Sequence, residues 1–479
     1  MNKRNTALIS ITFSCMSVPS FSANLEQIVN TFSNGQTLDY IISKSPVNSL
    51  TAQSLSYRGK LPNGTHYALE FDAKRVDEKT GTIYLHDTQS IPHGMISVSR
   101  DGTIQGEVST SNGKFKLISA LDNLLTIQSH IPETLCMDLE HDVMSTNKHH
   151  HGLSTLPTNM SQHGATPKQD NLVRISIYYT NNVARAYQEM GLNIKQAIDF
   201  VIERSNQAYK NSGINVTLEI ANIHHANYDE FHYQISSLDF FLKKGENINK
   251  LKVSYPDVDF IWPDDGFDKD LKQSEKYGSD MDMLITSHEQ GYCGAALTIG
   301  ALDRSESAAV TNMRCLDNVT FEHEIGHLFG AEHNWEATLE VPYVSRYAHG
   351  YYDAEDWSFR TIMTYSCVYS AAAPKECPVI NYFSNPKKEF DGKPIGTFEE
   401  HNNTRQHNEW GPLITGFSHG ADCSQFDAWL SNTSYVKGSE VSHDGHLYRA
   451  NWWSHNDLPS ETSSKSEWKE VWQQLTNCK

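Results

Sequence analysis

Between positions 323 and 333 the chain reads His-Glu-Ile-Gly-His-Leu-Phe-Gly-Ala-Glu-His, three histidines and two glutamates in one short run. His323 and His327 are four residues apart, so on a helix their imidazoles stack on one face about a turn apart and reach one metal ion. Gly330 can take the positive φ that ends a helix and turns the chain sharply, which returns His333 as a third ligand. Three protein nitrogens leave the fourth position of a tetrahedral zinc ion to water, whereas a structural site is usually closed by four protein ligands. Such an ion brings the pKa of its water toward neutrality, and Glu324, beside the ligands, is the base that would take the proton.

Met363 follows thirty residues after His333, within Arg360-Thr361-Ile362-Met363-Thr364-Tyr365. The long histidine motif followed by such a methionine turn resembles the metzincin zinc endopeptidases. The resemblance implies one catalytic Zn2+ on His323, His327 and His333, Glu324 as general base and acid, and Met363 as the hydrophobic floor of the site. It makes Tyr365 a candidate to bind zinc or stabilise the tetrahedral intermediate; a half-buried core tyrosine is the other reading. Tyr382-Phe383-Ser384-Asn385-Pro386, Gly396 and Asn402-Asn403-Thr404-Arg405 are similar to bacterial reprolysin-like enzymes, most of all to the peptidyl-Asp metalloendopeptidase family. That closer resemblance implies cleavage on the amino side of aspartate, with a basic residue lining the pocket: Arg360, Lys375 or another.

At 479 residues the chain has room for about three domains. Its net charge of −19 argues against nucleic acid or anionic membrane as a partner. Lys3 and Arg4 precede an apolar run from Ala7 to Met16, then Pro19 and small residues at Ser20, Ser22 and Ala23: a secretory signal over 1–23. The run is too short to span a bilayer, and no membrane insertion is expected. The expectation is an exported, extracellular bacterial protein acting as a monomer.

Residues 24–165 alternate short apolar runs, such as Met95-Ile96-Ser97-Val98 and Phe115-Lys116-Leu117-Ile118, with turns at Asn63-Gly64 and Asp101-Gly102. This is a β-rich, propeptide-like module, ending in a polar tract from Ser145 to Asp170 that contains His149-His150-His151 and reads as an exposed, cleavable linker. Outside the signal stand seven cysteines. Sequence proximity suggests Cys293 with Cys315, Cys367 with Cys377 and Cys423 with Cys478, although six cysteines allow about fifteen connectivities. Cys136 is left over. Its thiolate could occupy the water position on zinc as a cysteine switch; the switch sequences of related families are absent around it, and a buried structural thiol is the alternative.

Residues 166–420 read as an α/β zinc protease domain with a mixed twisted sheet. A strand is expected over Val173 to Tyr179, a helix capped by Asn193 and ended by Gly213, then strands through Val216-Leu218-Ile220, Met283 to Thr286 and Ala308 to Met313 before the zinc helix. Gly294-Ala295-Ala296 is either the edge strand beside the cleft or an ordinary buried strand. Calcium finds no EF-hand spacing, and Asp264-Asp265 reads as a solvated loop.

Residues 421–479 crowd Trp429, Tyr435, Tyr448, Trp452, Trp453, Trp468 and Trp472 into a segment too small to bury them all. Their order resembles the small all-β chitin-binding modules of bacterial chitinases, which implies binding to chitin or N-acetylglucosamine glycans. Trp452, Trp453, Tyr448 and Tyr435 are the candidate contacts, with one of the two adjacent tryptophans expected in the core. The whole chain then reads as a multidomain secreted zinc endopeptidase acting on protein substrates and tethered to chitin. The alternative is a chitin- or mucin-binding adhesin with incidental peptidase activity.

Overall fold

The computed structural model describes eight strands between residues 38 and 129 by their backbone, together with residues 171–190, 192–230, 240, 267–287, 293–316, 318–335, 345–365, 367, 377–462 and 471–479. The expected signal at 1–23, Cys136, the 145–170 tract with its His149 to His151 triplet, Asp264-Asp265, Lys375 and Trp468 lie outside the described residues. The chain divides into two compact units at residue 131.

In the first unit, β1 (Leu38–Ile41), β2 (Ser54–Lys60), β3 (His66–Asp77), β4 (Thr82–Asp87), β5 (Gly94–Val98), β6 (Ile104–Thr110), β7 (Gly113–Ser119) and β8 (Leu124–Ser129) form one antiparallel sheet. From β2 to β8 each strand pairs with the next, and β1 joins at β8. Asn63-Gly64 and Asp101-Gly102 fall in sequence between β2 and β3 and between β5 and β6.

The second unit begins with β9 (Leu172–Tyr179), α1 (Asn181–Glu189), α2 (Ile194–Ser212), β10 (Thr217–His225), α3 (Asp268–Tyr277), β11 (Met281–Thr286), β12 (Gly294–Ala296) and β13 (Ala308–Asn312). The helix α4 (Thr320–Leu328) carries the first two histidines, and β14 (Asn385–Phe390), β15 (Lys393–Ile395) and α5 (Asn403–Ile414) follow. The sheet order is β10-β9-β11-β13-β12, parallel except for β12. Strand alternation explains its two cores. Val173, Ile175 and Ile177 of β9 and Met281, Met283 and Ile285 of β11 face a core with α2, α4 and α5, while Tyr178, Leu284 and Val310 face a second cluster with Tyr228, Phe240 and Phe267. A sheet covered on both faces requires such near-continuous apolar strands.

Asn193 caps α2 by accepting from the Lys195 N–H, and Gly213 ends it at φ +78°. From this helix Arg204 forks onto Glu322, Nε to Oε1 at 2.7 Å and Nη2 to Oε2 at 2.9 Å, and donates to the Leu316 and Asn318 carbonyls. Both side chains are buried, so each ion depends on the other for solvation. The first turn of α4 is thereby fastened to α2.

The carboxy-terminal segment is small and β-rich: β16 (Ser434–Tyr435), β17 (Glu440–His443), β18 (His446–Ala450), β19 (Ser454–His455), the short α6 (Pro459–Thr462) and β20 (Trp472–Asn477). Strands β17, β18 and β20 make one antiparallel sheet and β16 pairs with β19. Disulfides join Cys293 to Cys315, Cys367 to Cys377 and Cys423 to Cys478, the pairing suggested by proximity.

His407 of α5 lies wholly buried among Phe329, Phe383 and Tyr209, donating Nδ1–H to the Asn403 carbonyl at 2.8 Å. Burial lowers its pKa from 6.5 to about 4. Between those values the unfolded chain binds the proton and the folded one does not. The neutral ring's contribution is therefore whole above pH 6.5 and is lost as pH falls toward about 4, by up to about 3 kcal/mol. Denaturant unfolding of His407→Phe at about pH 7 and about pH 4.5 should give a shallower acid loss than the parent; an equal loss would move the acid sensitivity to other groups.

Candidate metal centre

The Nε2 atoms of His323, His327 and His333 converge, 3.0 Å apart for His327 and His333 and 3.1 Å for the other two pairs. Helix α4 supplies the first two on one face, and Gly330, at φ +85°, swings the chain so that His333 returns. Among the described residues this is the one cluster of histidine, cysteine or carboxylate groups able to hold a metal ion.

The other ring nitrogens fix the orientation. His323 Nδ1–H donates to the Ile362 carbonyl at 2.9 Å, and His327 Nδ1–H to the Ala331 carbonyl at 2.8 Å. With Nδ1 protonated, Nε2 keeps a lone pair for a metal, the arrangement usual around ligating histidines. Nitrogen lone pairs aimed at one point repel unless a cation lies among them. Nitrogens about 2.1 Å from a shared tetrahedral ion lie about 3.4 Å apart, close to the spacing observed. The residues fit a divalent metal.

Around the triad, glycines let neighbours approach. A Cβ on Gly326 would collide with Sδ of the fully buried Met363, so glycine in the helix lets the methionine turn lie directly beneath it. Arg360 donates Nη1–H to the Thr364 carbonyl at 2.7 Å and braces that turn. A Cβ on Gly294 of β12 would lie 2.6 Å from Glu324 Oε1 and 2.7 Å from its Cγ. The Glu324 carboxylate is 1% exposed and rests against this edge strand. The Tyr365 ring lies 4.1 Å from that of His333 and 6.4 Å from that of His323.

Some contributors have no signature in the spacing. Ile362 and Ala331 act through backbone carbonyls. His349 donates Nδ1–H to the His333 carbonyl at 2.7 Å, stacked on Trp335, and burial lowers its pKa to about 4, which keeps it neutral. The motif around Ser384 is structural support: Ser384 Oγ–H donates to the His349 carbonyl, Asn403 donates to Ala348, and Asn385 donates to Ser212.

In the carboxy-terminal segment two expectations need correcting. Tyr448 is 2% exposed and packs with Val441, Ala450 and Trp472, because its position on the central strand β18 turns it inward; it is core. Trp452 and Trp453 are both exposed, at 42% and 64%, since they follow the end of β18, and among the described tryptophans of the segment the fully buried one is Trp472. Tyr435 is half-buried against Trp472. Val436 and Leu430, also exposed, have no such signal in the sequence.

Residues 169–384 match the family model described as metallo-peptidase family M12, and residues 428–473 match carbohydrate-binding module family 5/12. A peptidyl-Asp metalloendopeptidase of Xanthomonas campestris pv. campestris is 29% identical over 234 residues, 49% of this chain and 48% of that protein. One from Stenotrophomonas maltophilia is 29% identical over 235 residues, 49% of each chain. A third, from Pseudomonas aeruginosa, is 28% identical over 283 residues, 53% of this chain and 41% of the other. The chain thus spans about half the length of the curated relatives it matches. Among solved structures, metalloproteinase-II from Bacteroides fragilis aligns with a TM-score of 0.34 at 12% identity, over 70% of this chain and 94% of that one.

Proposed function

We propose that the chain is a secreted zinc endopeptidase that hydrolyses protein substrates, on the amino side of aspartate, and is held on chitin or related N-acetylglucosamine polymers by its last segment. The convergence of three Nε2 atoms within 3.1 Å beside a buried carboxylate carries the reading. The aspartate preference and the glycan are taken from the named relatives and the module family.

His323, His327 and His333 would hold the zinc ion, oriented by Ile362 and Ala331. When bound, it supplies a Lewis acid that polarises the scissile carbonyl and acidifies a water. Glu324 takes the proton of the attacking water and delivers it to the leaving amine. Its burial against Gly294 holds the carboxylate in a dry wall of the cleft, where proton transfer needs little reorganisation. Tyr365, its ring tilted beside that of His333, is the candidate to steady the charge that develops on the carbonyl oxygen. Strand β12, the sheet edge, would pair with the substrate backbone.

The signal at 1–23 would export the chain, and the amino-terminal sheet would act as a propeptide released by cleavage in the 145–170 tract, with Cys136 as a zinc-blocking thiol or a structural one. Trp453 and Trp452 offer flat faces for stacking on sugar rings.

Glu324→Gln should keep its metal and fold but lose peptide hydrolysis by about 100-fold or more, measured as kcat/KM with metal content by mass spectrometry. Undiminished turnover in that variant would remove Glu324 from the chemistry. Trp452→Ala combined with Trp453→Ala should abolish retention of the full chain on chitin beads, and unchanged retention would exclude stacking at this face.

A further inference from the structure

The base of the carbohydrate-module segment is buried against the M12-family segment. Ala221 of β10 and Tyr277 of α3 form one cluster with Ala421 and Leu447, and Cys423, Phe426 and Leu475 pack around it. Polar contacts cross the same surface. Tyr277 Oη–H donates to Glu440 at 2.6 Å, Arg174 Nη1–H of β9 donates to the Leu475 carbonyl at 2.7 Å, and the Asp422 N–H donates to the Lys276 carbonyl at 3.0 Å. The Lys276 ammonium sits 4.2 Å over the Phe426 ring. Gly278, at φ +64°, approaches Gly420 so closely that a Cβ there would also lie 2.8 Å from the Ala421 nitrogen.

The module is closed at this surface as well. Cys423 is joined to Cys478, Ala421 N–H donates to the Asn477 carbonyl at 2.9 Å, and Lys479 N–H donates to the Ala421 carbonyl at 2.9 Å. Entrance and exit of the module are therefore pinned together where it meets α3 and β10. Arg174 is 6% exposed and relies on a carbonyl of the module for part of its hydrogen bonding, which a freely swinging module would withdraw.

We propose that α3 and the β10 edge of the sheet form a dedicated docking surface for the module, so that the two segments move as one rigid body and the sugar-facing end is held in a fixed orientation. The sheet order carries the consequence. Docking occupies the β10 edge, and the metal cleft lies by β12 at the opposite edge, four strand spacings or roughly 19 Å away. Within the module, Leu447 at one end of β18 is in the docked base, while Trp452 and Trp453 follow its other end and face solvent. The cleft and the tryptophan face are both left open. Surface binding would then aim the cleft as well as concentrate it, a consequence that rests on the carbohydrate reading; the docking itself does not.

Hydrogen exchange on the full chain, read by mass spectrometry with residue-level fragmentation, tests this without any sugar. In the parent protein the Asp422 amide should exchange as slowly as the β9–β10 ladder. Tyr277→Ala combined with Phe426→Ala should speed it about tenfold or more, while amides inside the β17–β18 pair keep their rates as the control for a folded module. Tyr277→Phe, which removes only the hydroxyl, should give a smaller change in the same direction. An Asp422 amide that exchanges as if open in the parent, or is unmoved in both variants, would overturn the docking. Loss of chitin retention with this protection intact would remove the carbohydrate reading and leave the docking standing.

Discussion

Three imidazole nitrogens that must meet at one point set the terms for the rest of this fold. Nε2 atoms held 3.0 to 3.1 Å apart crowd one another, so the three histidines have to be held in place by their surroundings. The supports come from three directions: the Ile362 carbonyl of the methionine turn, the Ala331 carbonyl just past α4, and His349 gripping the His333 backbone. Preorganisation of this kind shifts the ordering cost from binding to folding. The buried Arg204–Glu322 fork serves the same end by fixing where α4 starts.

The sheet separates the two jobs proposed for the chain. At the β12 edge, glycine at 294 lets the Glu324 carboxylate lie against the strand that would receive a peptide. At the β10 edge, Tyr277, Ala221 and Arg174 receive the small carboxy-terminal module. Under that proposal, attachment to a glycan at one end and chemistry at the other would be mechanically linked through β9, β11 and β13.

Much of the centre was legible in the sequence because its constraints are local. A four-residue histidine spacing, Gly330 and the downstream Met363 each express a rule about a helix, a turn or a packing contact, and the structure has all of them. Strands β9, β11 and β13 were readable from apolar runs. Helix α5 was not: its polar stretch Asn403-Thr404-Arg405-Gln406 and internal Pro412 hide a face that buries Trp410, Leu413 and Ile414. Tertiary burial overrode a weak local signal there. The supporting carbonyls, and His349 far along the chain, were invisible because spacing says nothing about which distant backbone atom meets a ring. The assignment of Tyr448 to the surface, and of one of the two adjacent tryptophans to the core, failed for a related reason: aromatic content marks a binding module, but only strand register decides which ring faces water.

The histidine centre is proposed to make this chain a zinc-dependent peptidase. The most direct measurement incubates the purified protein, before and after cleavage in the 145–170 tract, with an unbiased peptide library, and maps cut sites by mass spectrometry with chelator and with zinc restored. Cuts that fall before aspartate, vanish with chelator and return with zinc are the predicted result. A library left intact in every state would contradict the claim and leave the chain as a glycan-binding protein with an idle metal site.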